Sequence, residues 1–231
     1  MRMTEGAGPA YRLGGISALV LGIGYIVIIP LYIYAGAPPK GGEAWLAYAA
    51  GKTAVWWAIL GLSVFTDLLF VPVAWALYHA LKDVGRNAML IATALVGLFV
   101  VLDLAVTWSN YAALISLGDS YAAATTDAQR TAYIAAATYA SAVLASTLAG
   151  VYSILFLSVG ILLVGLVALR SRFSRSAAYV GVATGILGIV SVVGPVDQSG
   201  LSATAVIASA LTTVWVFLVS YRLYRLSSVT A

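Results

Sequence analysis

Cysteine is absent from the chain and histidine occurs once, at His79. The first absence excludes disulfides, thiolate metal sites and cysteine nucleophiles. The second excludes a bis-histidine haem held by one chain. Charge is scarce too: 9% of the 231 residues are charged and 62% are hydrophobic, whereas soluble domains carry about a quarter charged residues. A water-soluble fold is thereby excluded, and an all-α, polytopic membrane helix bundle is expected. The net charge is +4, but the cations stand at the ends of apolar runs and form no basic face, so nucleic acid is not an expected partner.

What the sequence does contain is long uncharged stretches. Residues 13–39 carry no charge, well beyond the roughly 7 to 15 apolar residues of a cleaved signal, so the run reads as a retained anchor. Crossing about 30 Å of hydrocarbon takes about 20 residues. On that measure six spans are expected in a single transmembrane domain covering 1–231: residues 13–34, 53–81, 88–117, 147–169, 177–194 and 203–224. Nine of the twelve cations then fall on the side shared by the termini and the second and fourth loops, with Lys40, Lys52 and Arg130 opposite. The positive-inside rule places both termini in the cytoplasm of a plasma-membrane protein.

Residues 131–169 run for 39 residues without a charge, about 58 Å as one helix. One span with an outer extension is expected, bent near Gly150. "TTDAQR" offers Thr126 and Gln129 as a capping box that starts the extension. "GEAWLAYAAGKTAVWW" reads as a second outer segment, with Trp45, Tyr48, Trp56 and Trp57 as interfacial aromatics. These two segments, 43–52 and 127–146, are where a protein partner is expected. Gly14, Ala18 and Gly22, and then Ala177, Gly181 and Gly185, form small-xxx-small series that predict close helix contacts inside the bundle.

Two acids interrupt the apolar runs. Asp67 is central between Lys52 and Lys82, and Asp103 is near the centre between Arg86 and Asp119. Consecutive antiparallel spans usually pack side by side, so the carboxyls are expected to share one depth. Tyr25, Ser158 and Thr213 reach that plane, and no lysine or arginine does. An ionised carboxylate without a counter-charge is costly there, so at least one acid is expected to be neutral. Asp103, Thr107 and Asn110 follow i, i+4, i+7 and share a helical face. Ser63 lies one turn outward of Asp67, and Pro72 is expected to kink the helix on the inward side. Together these predict a polar cleft opening outward. Asp67, Asp103, Thr107, Asn110, Tyr25 and Ser63 are thus the candidate residues for a ligand or a proton, with no metal set among them. An alternative makes the acids structural glue, each bonded to a neighbouring hydroxyl.

The stretches "YRLGGISALVLGIGYIVIIPL", "FTDLLFVPVAWALYHALKDVGRNAMLIATAL" and "LRSRFSRSAAYVGVATGILGIV" resemble a bacterial integral-membrane family of unknown function, of the domain-of-unknown-function 4386 type. The resemblance covers roughly the first five spans and implies a multi-helix inner-membrane protein without supplying an activity. Three functional classes stay open. The first is a protein that binds or transports a small or lipid-like ligand, a proton or a cation at the acids. The second is a non-catalytic accessory or sensory subunit that docks through the outer segments. The third is an intramembrane enzyme, which lacks a nucleophile, metal set or phosphate loop beside the acids. The cofactor, if any, is not specified by the sequence.

Overall fold

A computed structural model describes residues 8–49, 51–193 and 203–229. The described residues are almost wholly helical, in the order α1 (Gly8–Ala35), α2 (Gly42–Ala49), α3 (Thr53–Leu102), a first π-helical turn (Asp103–Trp108), α4 (Ser109–Ala122), α5 (Asp127–Leu144), α6 (Thr147–Gly150), a second π-helical turn (Val151–Leu155), α7 (Phe156–Leu169), α8 (Arg175–Val193) and α9 (Ala203–Val229). Arg2 and Gly194, which figured in the sequence reading of topology and of the fifth span, lie outside the described residues.

Five helices among the described residues are long and apolar enough to cross a membrane. One of them, Thr53–Ala122, runs for 70 residues, about 105 Å if straight. It is not straight. At Gly85 the backbone leaves the helical region (φ −159°, ψ 68°), and the chain doubles back. Phe70 and Phe99 meet edge to face with ring centroids 5.7 Å apart, although a straight helix would separate them by about 44 Å. Farther along, Thr53 Oγ1 donates to Asp119 Oδ1 at 2.9 Å. The reversal at Gly85 falls between the second and third expected spans, and Pro72 lies within α3, whose backbone departs from helical dihedrals at Gly85.

Around this hairpin, α1 packs against α3 and α9, α7 packs between α3 and α8, and α8 packs against α9. Close backbone approach makes these contacts. A Cβ on Gly14 would collide with the Ala76 side chain and stand 3.0 Å from the Pro72 carbonyl oxygen, and one on Gly185 would meet the Ser158 carbonyl at 2.7 Å. The small-residue series are thus used inside the bundle. Leucine, isoleucine and valine side chains such as Leu13, Ile33, Val71 and Val101 remain exposed around the outside, the surface a bilayer covers at no hydrophobic cost.

The helices α2 and α5 form a cap on the end away from Gly85. Thr126 and Gln129 make the capping box that opens α5. Gly41 N donates to Ser141 Oγ at 3.0 Å, tying the start of α2 to α5. Tyr48 donates towards the Ala35 and Gly36 carbonyls, both at 2.8 Å, and Lys52 Nζ donates to Ala35 O at 2.7 Å, so the end of α1 is held by α2 and its loop. Burial pushes the Tyr48 hydroxyl above its ordinary value, against the opposing effect of the Trp56 ring N–H, which keeps it a donor. Trp45 and Trp56 are 3% and 0% exposed. They are the centre of a second core rather than interfacial aromatics, because α2 and α5 fold over them, while Trp57 stays exposed. The long uncharged run breaks at Ser146, whose side chain accepts from Ala149 N to cap α6, four residues before the expected bend at Gly150. Gly150 instead leads into the second π turn.

Candidate functional site

Asp67 and Asp103 stand 18 residues before and 18 residues after Gly85. A hairpin that turns there must bring them to one depth, and it does. The carboxyls lie within hydrogen-bonding reach of each other and are 5% and 4% exposed. Asp67 Oδ2 accepts a 2.6 Å hydrogen bond from Trp108 Nε1. Asp103 Oδ1 is buried with no hydrogen-bond partner. The groups acting on Asp67 are Asp103 and Trp108, and no cation is among them.

The local backbone explains the placement of Trp108. Asp103 begins a π turn, in which hydrogen bonds skip one more residue than in an α-helix. The extra residue lets Thr107 and Trp108 flank the direction of Asp103. It also disturbs the carbonyl ladder, and an unpaired buried carbonyl costs about 1 to 3 kcal/mol. Here the Ser109 hydroxyl donates to Ala105 O at 2.6 Å and to Val106 O at 3.1 Å, while Asn110 Nδ2 donates to Val106 O at 2.7 Å. The sequence expectation put Asn110 on the helical face of Asp103. Its amide serves its own helix, because the π turn breaks the α-helical register that would have aligned it with Asp103.

Thr107 remains with the acids. Its Oγ1 lies 3.1 Å from Ser153 Oγ on the second π turn, and the two π turns pack against each other. Tyr152, 5% exposed, brings its hydroxyl beside Thr107 and into the field of Asp103 with no aligned hydrogen bond. From α1, Tyr25 senses both acids and packs on Phe70 with ring centroids 6.4 Å apart. Ser63 is buried, with the Tyr32 hydroxyl beside it, one turn from the pair.

Both ends of the site are closed. Towards the cap, Trp108, Tyr111, Trp56 and Trp45 form a continuous column, with centroid separations of 5.5, 5.5 and 5.2 Å. The outward-opening polar cleft expected from the sequence is therefore filled by aromatic rings, which the α2–α5 cap presses into place. Towards Gly85, the Phe70–Phe99 contact separates the acids from a small apolar cavity lined by Val73, Leu77, Met89, Val96 and Trp215. His79, farther along, packs against Trp75 and Tyr78.

Sequence reasoning thus selected Asp67, Asp103, Thr107, Tyr25 and Ser63, which the fold gathers, and overlooked Trp108, Tyr111, Tyr152 and Ser153. The available signal was "SN" at 109–110: two side chains able to satisfy carbonyls one turn back, just after an acid and an indole five residues apart. Among the described residues no group of three or more His, Cys, Asp or Glu that could hold a metal ion comes together. No family model, curated protein or solved structure matches the chain.

Proposed function

We propose that the chain is a plasma-membrane protein with both termini in the cytoplasm, and that it binds or transports a small ligand through a proton held between Asp67 and Asp103. The Gly85 hairpin supplies two passes from one 70-residue run, giving six in all. Lys82 and Arg86 stand at the turn and Arg170, Arg172 and Arg175 at the same end, which supports a cytoplasmic assignment for that end.

The observation that carries the functional reading is the contact between two buried carboxyls with no counter-cation. Two negative charges side by side in a dry interior repel strongly, so one proton shared between them is the economical state, and losing it requires something positive to enter. That is the chemistry of a proton-linked binding site. The accessory-subunit reading has less support, because the apolar faces of α2 and α5 are spent on covering the bundle, leaving mainly side chains such as Tyr139, 73% exposed, for a partner.

Native mass spectrometry on protein extracted from its own membrane tests the reading. A small ligand retained by the wild type and lost from Asp67→Asn and Asp103→Asn supports it. Retention by both folded variants overturns it.

A further inference from the structure

The oxygens around Asp103 differ from those around Asp67. Asp67 has a donor in Trp108. Asp103 Oδ1 has none, and the Tyr152 hydroxyl also lacks a partner, although both residues are more than nine-tenths buried. Unpaired buried polar atoms are costly and call for something that satisfies them. Thr107 Oγ1 and Ser153 Oγ, 3.1 Å apart, complete the group. All four are oxygens, two from each of two π turns that pack against each other. A fixed water could satisfy two hydroxyls and a carboxylate. A cation satisfies them better, because it accepts lone pairs from all four at once and compensates the carboxylate charge.

We propose that Asp103 Oδ1, Thr107 Oγ1, Tyr152 Oη and Ser153 Oγ form a binding site for a sodium ion. Oxygen donors select a hard cation. The charge selects a monovalent one: Asp103 supplies one negative charge, and Asp67 is engaged by Trp108 and by the shared proton. A divalent ion would leave a net positive charge in the bundle, with the penalty of an unpaired buried charge. Sodium sites at mid-membrane depth commonly form where helices depart from α geometry, as both do here. This inference rests on the proton-linked reading and extends it: sodium is held at Asp103 while the proton stays on Asp67. The titratable groups facing the site are Tyr25 and Tyr32 from α1, Asp67 from α3, Tyr111 from α4 and Tyr152 from the second π turn.

The test uses the full chain in detergent, with radioactive sodium binding at fixed ionic strength and choline as the replacement cation. Wild type is expected to bind one sodium per chain, with potassium and caesium competing poorly. Thr107→Val and Ser153→Ala should each weaken binding by about tenfold or more, and Asp103→Asn should abolish it. Asp67→Asn should retain sodium binding, which separates this site from the proton pair. Absence of sodium binding in folded wild type, or binding that survives Asp103→Asn, overturns the sodium site. Sodium binding lost from folded Asp67→Asn would put the ion on the acid pair itself and overturn the four-oxygen site.

Discussion

The indole nitrogen of Trp108 donates to Asp67 Oδ2 at 2.6 Å, across 41 residues of sequence and two arms of one hairpin. The bond exists because Gly85 reverses the chain midway between the acids and because a π turn rotates Trp108 towards Asp67. It fixes one carboxyl of the pair and leaves the other, Asp103, with an unpaired oxygen.

Trp108→Phe keeps the ring and removes the donor. A lost bond to a buried carboxyl is expected to cost about 1 to 3 kcal/mol, read as a lower unfolding midpoint in a lipid-like detergent. In an Asp67→Leu background the same substitution should cost little, and that non-additivity measures the contact. Equal losses in both backgrounds would show that Trp108 acts only by packing.

Asn110→Leu tests the π turn. With the amide gone, Val106 O loses its 2.7 Å donor, and the turn should relax towards α geometry and carry Trp108 away from Asp67. Stability should fall by about 1 kcal/mol or more, and Trp108→Phe added to this variant should have almost no further effect. An undiminished Trp108→Phe penalty would refute the dependence of the Asp67 bond on the π turn.

These residues show where the sequence was readable and where it was not. The acids, the apolar runs and the Thr126–Gln129 cap were legible because each is a local signal: a charge count, a length or a three-residue spacing. The filled cleft was not, since Trp56 reads as an interfacial aromatic until α2 and α5 are seen folded over it. Asn110 is a related case. The i, i+4, i+7 rule assumes an uninterrupted α-helix, and a single extra residue in one turn breaks it. The reversal at Gly85 was implicit in the charges flanking it, but its symmetry about the two acids emerges only from the pairing of Phe70 with Phe99 and Thr53 with Asp119.

The hairpin itself is open to a clean chemical test because the chain has no native cysteine. Thr53→Cys with Asp119→Cys should form an intrachain disulfide under mild oxidation, given the 2.9 Å side-chain contact there. Thr53→Cys paired with Arg86→Cys, at the opposite end of the hairpin, should not. Failure of the first pair in folded protein would contradict the reversal at Gly85.

Glycine substitutions discriminate contact from propensity. Gly185→Ala places a Cβ within 2.7 Å of the Ser158 carbonyl and should destabilise the α7–α8 interface. Gly61→Ala and Gly97→Ala meet nothing within 4 Å, and should be neutral or stabilising by about 0.5 to 1 kcal/mol through helix propensity. Thermal unfolding of the three variants side by side reads the contrast, and a penalty at Gly61 equal to that at Gly185 would contradict the packing.

The proton proposed to be shared between Asp67 and Asp103 is the centre of the account, and infrared spectroscopy would see it directly. Protein in lipid nanodiscs at neutral pH should show a carboxylic acid carbonyl band that shifts on ¹³C-aspartate labelling and changes in both Asp67→Asn and Asp103→Asn, because each substitution removes half of the pair. A spectrum with no protonated aspartate band at neutral pH, or a band untouched by either substitution, would contradict it.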